Sequence, residues 1–218
     1  MSRPFDMIVF DWDGTLADSA AEICRCIGAA AQDCGIADPG PERSRQIIGL
    51  GLTEALQALF PALPKFEHAR IAARYRHYYL AGEPSATPLF PGVKDGLERL
   101  RRAGFRLAVA TGKSRQGLVR AFAESGIGGF FEASRCADES RSKPDPSMLE
   151  ELLVLSGAHR DRVAMIGDTS FDMEMAMNAG VARFAVSYGA HTRERLLDYA
   201  PIACFDSFPE LSECLAGR

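Results

Sequence analysis

The chain has 218 residues, 47% of them hydrophobic and 25% charged, with a formal net charge of −4. That length allows one large domain, or a core with a smaller second unit, and the balance is that of an ordinary globular protein. The mild acidity excludes global attraction to nucleic acid or to an anionic membrane surface, and no apolar run approaches transmembrane length.

Met7-Ile-Val-Phe10 is an unalternated apolar run, the pattern of a strand covered on both faces in a parallel sheet. It leads directly into Asp11, Asp13 and Gly14-Thr15. Carboxylates at the carboxyl end of such a strand lie where open α/β sheets hold their ligands. Two acids that close repel unless a cation or a shared proton lies between them, so the stretch points to a metal site. The plainer reading is a strand that ends in an Asp-Gly turn.

Ser19-Ala-Ala-Glu22 predicts a capping box at a helix start. Ile23, Ile27, Ala31 and Cys34 follow at helical spacing, and Gly35 is the stop. Short helices are expected over 42–48 and 53–60, either side of Gly49-Leu-Gly-Leu52, and a longer one over 65–80 that carries Arg70, Arg74, Arg76 and His77. Residues 19–83 therefore read as an all-helical unit inserted after the first strand, with a Pro- and Gly-containing return linker over 82–88.

From Pro91 onward helix and strand alternate. Helices are expected over 93–103, 114–125, 146–155, 171–179 and 208–216, and strands over 106–111, 130–134, 162–167, 181–186 and 202–205. Repeated βα units predict an α/β fold, a doubly wound parallel sheet with right-handed crossovers. Its core would be residues 1–18 and 84–218.

Six cysteines show no C-x-x-C spacing, so they read as reduced, mostly buried thiols. The N-terminal residues lack the apolar stretch of a signal peptide, which makes a cytoplasmic location the expectation. The four histidines are scattered, His68 and His77 on a basic helix read as solvated, and none has a neighbour that argues for catalysis.

Three further polar clusters follow strands or loops of the α/β part. Thr111-Gly112-Lys113-Ser114 closes an apolar strand and opens a helix, a place where backbone N–H groups and a hydroxyl suit a phosphate or carboxylate. Equally, it reads as a strand-to-helix turn with Ser114 as N-cap. Ser142-Lys143-Pro144-Asp145-Pro146 holds a lysine in a proline-stiffened turn before a helix. Gly167-Asp168-Thr169-Ser170-Phe171-Asp172 puts Asp168 at a strand end and Asp172 one helical turn later. Together the clusters bring carboxylates, a hydroxyl and a lysine to one sheet edge. Such hard oxygen donors suit Mg²⁺, and the lysine with the helix N-terminus suits phosphoryl charge.

In order, Asp11-x-Asp13-Gly14-Thr15, strand-end Thr111, Lys143 and Gly167-Asp168-x-x-x-Asp172 resemble the four motifs of the haloacid dehalogenase superfamily. The helical insert falls where that superfamily places a cap, and the resemblance is greatest to its phosphoglycolate phosphatase group. It implies that Asp11 is the nucleophile that forms an aspartyl-phosphate. It implies that Asp13 protonates the leaving alkoxide and then activates water. Thr111 and Lys143, with the Gly112 N–H, would hold the phosphoryl oxygens, and Gly14 would supply the tight turn. Mg²⁺ would be bound by Asp11, the backbone carbonyl of Asp13, and Asp168, with Asp172 orienting the metal's waters. The substrate would be a small phosphorylated metabolite, 2-phosphoglycolate among the candidates. An acid at position 13 favours phosphate esters over halides. A phosphosugar mutase shares every catalytic group, and a phospho-accepting receiver switch shares the Asp, Thr, Lys and Mg²⁺.

Overall fold

The computed structural model describes residues 4–81 and 87–217. Among these, six strands form one sheet: β1 (Met7–Phe10), β2 (Arg106–Thr111), β3 (Ala133–Cys136), β4 (Val163–Gly167), β5 (Ala182–Val186) and β6 (Cys204–Phe205). The spatial order is β3-β2-β1-β4-β5-β6, and every neighbouring pair is parallel. The chain moves outward from β1 through β2 to β3, then restarts at β4 on the other side of β1. The boundary between β1 and β4 is therefore the topological switch point, where the crossover loops part and leave a crevice at the carboxyl ends.

Helices α1 (Ala20–Asp33), α2 (Pro41–Arg45), α3 (Leu52–Leu59) and α4 (Lys65–Ala81) follow β1, and α5 (Val93–Arg102) leads into β2. Helices α6 (Arg115–Ser125), α7 (Ser147–Ser156), α8 (Ser170–Ala179), α9 (Arg193–Leu197) and α10 (Phe208–Ala216) complete the α/β part. The period-2 geometry of a strand sends successive residues to opposite faces, and both faces here are apolar. Ile8, Phe10, Leu107 and Val109 pack against Val93, Leu97 and Leu100 of α5 and Phe208 and Leu211 of α10. Met7, Val9, Ala108 and Ala110 pack against Met148 and Leu152 of α7 and Met175 and Ala179 of α8. Each fully buried Leu, Ile or Phe contributes about 1.5–3 kcal/mol. The central strands are thus the most firmly held part of the fold, and they carry the functional loops.

The helical insert has an apolar core of its own, with Ile27, Ala30, Ile48, Leu56 and Ile71 at its centre. Among the described residues, no helix is long and apolar enough to cross a membrane.

Four local expectations change. The strand expected over 130–134 lies at Ala133–Cys136. Phe130 and Phe131 instead pack onto the core after a 3₁₀ turn at Gly128–Phe130, and Phe131 stacks on Phe122 with ring centroids 5.7 Å apart. Ser19 precedes α1 but accepts no capping hydrogen bond. Helix α9, capped by the Thr192 side chain, was not expected from the sequence. His68 is buried rather than solvated, its ring Nε2 lying 2.9 Å from the Phe60 carbonyl. All six cysteines are free thiols, Cys26 and Cys136 buried and the other four partly so. The expected return linker lies outside the described residues except for Thr87 and Pro88, as does the expected boundary between residues 83 and 84.

Candidate active site

Asp11 continues β1, and its backbone N–H donates to the Ile166 carbonyl of β4 at 2.9 Å. The switch point thus holds Asp11 beside Asp168, the residue that follows β4. Lys143 reaches in from the loop before α7. Its Nζ donates to Asp11 Oδ1 at 2.5 Å and to Asp172 Oδ1 at 2.6 Å, and all three side chains are fully buried. Asp172 is fixed from behind, since its Oδ2 accepts the Thr169 N–H at 3.1 Å and the Thr169 hydroxyl at 2.6 Å. The first of these bonds, with the Asp172 N–H donating back to the Thr169 hydroxyl oxygen at 3.4 Å, forms a capping box at the start of α8, so the helix terminus and the site share one carboxylate.

Asp168 is held equally firmly. Its Oδ1 accepts the Thr15 hydroxyl at 2.8 Å and its Oδ2 the Ala190 N–H at 2.7 Å. Two glycines make room for it: a Cβ at Gly14 or at Gly189 would collide with Asp168 Oδ2. Gly14 also sits at φ +85°, in the left-handed region that a side chain disfavours.

One ligand oxygen from each of Asp11, Asp168 and Asp172 lies within 4.8 Å of the others. Three buried carboxylates face a single buried ammonium, an excess of negative charge that burial makes costly. Burial pushes the Asp11 carboxyl well above the usual carboxylate range, with Lys143 opposing and the other three aspartates adding to the rise. Burial and the neighbouring Asp172 carboxylate push Asp168 up to about 7. Burial works against charge on Lys143, but Asp11 and Asp172 outweigh it and hold the ammonium above its ordinary value. Asp11 Oδ2 is buried with no hydrogen-bond partner among the described residues. An orphaned carboxylate oxygen in an all-oxygen, over-acidic pocket fits a hard divalent cation such as Mg²⁺.

Asp13 stands apart from this cluster. Its Oδ1 accepts the Ser19 hydroxyl at 2.5 Å and pairs with Lys113 Nζ at 2.9 Å. Its carboxylate is thereby held between Ser19, at the start of the helical insert, and Lys113 of the loop after β2. The Ser19 hydroxyl, expected as a helix cap, serves this carboxylate instead. Lys113 also donates to the Tyr79 hydroxyl of α4 and lies over that ring, 4.6 Å from its centroid. Burial disfavours its charge, yet Asp13 and Tyr79 hold it above the ordinary lysine value.

Thr111 ends β2 fully buried, its hydroxyl accepting the Lys113 N–H at 3.2 Å. Ser114 is the N-cap of α6, its hydroxyl accepting the Gly117 N–H at 3.2 Å. At Gly112 a Cβ would collide with the Leu50 carbonyl oxygen, because the loop between α2 and α3 closes over this point. That loop is also tied down at Gly51, whose N–H donates to the Ser142 hydroxyl at 2.7 Å.

Sequence reasoning missed Lys113, Ser19, the Gly189-Ala190 turn and His191. The available signals were a lysine two residues past an apolar strand and the Tyr188-Gly-Ala-His191 stretch after β5. His191 is buried, accepts the Ser170 N–H on Nδ1 at 2.9 Å, and approaches the Gln46 carbonyl at 3.3 Å. Burial, then the charge of Arg195, pulls its pKa down from 6.5 to about 4. A depressed histidine contributes stability above its unfolded pKa and loses it as pH falls toward the folded value. The stability advantage of the native chain over His191→Asn, read from urea midpoints, is therefore expected to be full above about pH 6.5. It should shrink as pH falls toward 4. A pH-independent difference would refute this.

A family model described as Haloacid dehalogenase-like hydrolase matches residues 8–186. A Dickeya dadantii protein named Probable phosphatase IndB is 34% identical, over 94% of this chain and 91% of its own length. The Phosphoglycolate phosphatase of Mesorhizobium japonicum is 30% identical, over 100% of this chain and 97% of its own. Among solved structures, a haloacid dehalogenase-like family hydrolase from Streptococcus pneumoniae superposes with a TM-score of 0.84 at 26% identity, covering 95% of this chain and 97% of that one.

Proposed function

The chain belongs to the haloacid dehalogenase-like hydrolase family, and from that premise we propose that it is a Mg²⁺-dependent phosphatase that hydrolyses phosphomonoesters through an aspartyl-phosphate on Asp11. The observation that carries this reading is the division of labour between two carboxylates two residues apart. Asp11 has an unpartnered oxygen beside a buried lysine, whereas Asp13 is held separately by Ser19 and Lys113.

In this reading the Asp11 carboxylate attacks phosphorus, the P–O bond to the alcohol breaks, and Asp13 gives its proton to the departing alkoxide. Asp13 then removes a proton from water as that water attacks the aspartyl-phosphate, which releases inorganic phosphate and restores Asp11. Lys143 binds the phosphoryl oxygens and offsets the charge of Asp11 against the incoming dianion, with Thr111 and the Gly112 N–H completing the phosphoryl site. Asp11, Asp168 and the Asp13 carbonyl would hold Mg²⁺, and Asp172 would orient its waters. The ion would supply charge neutralisation at the phosphoryl group. Residues 19–83 would act as a cap over residues 1–18 and 84–218. The relatives' names make 2-phosphoglycolate the first metabolite to assay.

Two expected results test the reading. Hydrolysis of p-nitrophenyl phosphate should disappear in EDTA and return with added Mg²⁺; full activity in EDTA would overturn the metal assignment. For Asp13→Ala, turnover of methyl phosphate should fall about 10²–10⁴-fold. With p-nitrophenyl phosphate, whose leaving group needs no proton, the same variant should give a rapid burst equal to the enzyme concentration and then a slow phase. A missing burst with both substrates equally impaired would count against the two-step assignment to Asp13.

A further inference from the structure

Between the helical insert and the α/β core lies a cavity of about 200 Å³. It reaches Asp13, Gly112 and Lys113 of the site but is not lined by Asp11, Lys143 or Asp168. It therefore opens beside the residue that would protonate the leaving group, and meets the phosphoryl site at Gly112 alone among the groups named for it. Its walls on the insert are mostly apolar, from Ile23, Ile27, Ile47, Ile48, Leu50 and Leu80.

From these walls we infer that the alcohol this chain releases is uncharged, ring-sized and largely apolar. The inference rests on the phosphatase reading and narrows its substrate class. Three observations carry it. The first is size: an apolar protein cavity of about 150 Å³ is enough to hold benzene, so 200 Å³ exceeds what a two-carbon acid would fill. An unfilled apolar wall contributes nothing to binding.

The second is charge. Among the described residues, the charged side chains that line the cavity are Arg76, Lys113, Asp13, Glu54 and Asp138, two cations against three carboxylates. The interior cation, Lys113, is already committed to Asp13 and Tyr79. Arg76 sits exposed at the rim, where Glu54 and Asp138 are exposed as well. A leaving group that carried a carboxylate would meet no uncommitted cation inside and an acidic surplus along the lining, at a desolvation cost that nothing there offsets.

The third is a polar handle. Tyr75 lines the cavity and stacks on Tyr79, centroids 5.5 Å apart, and its hydroxyl makes no hydrogen bond among the described residues. A few polar groups in an otherwise apolar pocket orient a ligand, so this hydroxyl suits a single neutral hydroxyl or carbonyl on the ring.

The test is a comparison of kcat/KM on the intact protein with Mg²⁺, using benzyl phosphate, 2-phosphoglycolate and methyl phosphate. All three release aliphatic alcohols, so differences report binding in the cavity more than leaving-group chemistry. Benzyl phosphate is expected to exceed methyl phosphate by at least tenfold, and 2-phosphoglycolate to fall at or below methyl phosphate. A kcat/KM for 2-phosphoglycolate equal to or above that for benzyl phosphate would overturn the inference while leaving the phosphatase reading standing. No hydrolysis of any of the three, nor of p-nitrophenyl phosphate, would instead overturn the reading beneath it.

Discussion

Asp11→Asn is expected to lower phosphomonoester turnover by about 10⁴-fold or more, the scale on which loss of a nucleophile acts in enzymes that work through a covalent intermediate. An amide cannot form the aspartyl-phosphate, and nothing else in the cluster can take its place. Asp172 has both oxygens engaged by Lys143 and Thr169, and Asp168 has both engaged by Thr15 and Ala190. The same change has an opposite effect on folding. It removes one of three buried carboxylates that face a single lysine, so the metal-free variant should unfold at the same or a higher urea concentration than the native chain. Added Mg²⁺ should raise the native thermal midpoint by mass action on the folded state and raise that of the variant less. Retained turnover would refute the nucleophile assignment. An unfolded variant would refute the charge argument.

Lys143→Met should cost about 3–5 kcal/mol of folding stability, the usual penalty when one partner of a buried ion pair is removed and the other charge is left in place. Here two charges are left, on Asp11 and Asp172, and neither is exposed. The double variant Lys143→Met with Asp172→Asn should recover much of that loss, because one stranded carboxylate has been neutralised. It should recover no activity, since the group that meets the phosphoryl oxygens is still gone. Urea midpoints with the m-value held constant separate these outcomes. A single variant within about 1 kcal/mol of the native chain would mean that the pair is solvated and that the buried-lysine description is wrong.

The strands that hold the reacting groups were legible in the sequence because a buried parallel strand announces itself within four to six residues. Met7–Phe10, Arg106–Thr111 and Val163–Gly167 are apolar on both faces. Asp11, Thr111 and Asp168 end or follow them, so sequence position alone assigns these residues to one sheet edge. Phe130 and Phe131 misled for the same reason. Aromatic residues fit a strand and a core plug equally well, and only packing against Phe10, Trp12 and Phe122 selects the plug. Ser19 misled through its spacing to Glu22. The carboxylate that claims its hydroxyl, Asp13, outbids the backbone donors of α1.

The sequence by itself determined the α/β class, the run of helices after the first strand, and the placement of Asp11, Thr111 and Asp168 at one sheet edge, because each follows from local periodicity or from position at a strand end. Only the tertiary structure decided how the site is held. Lys113 meets Tyr79 across 34 residues, Thr15 meets Asp168 across 153, and Lys143 meets Asp11 across 132. No local pattern encodes such partners; they are chosen by which loops the folded sheet brings to its switch point and by which helices the insert lays over them. The same holds for the cavity beside Asp13, whose walls come from separate elements and exist only once the insert has closed on the core.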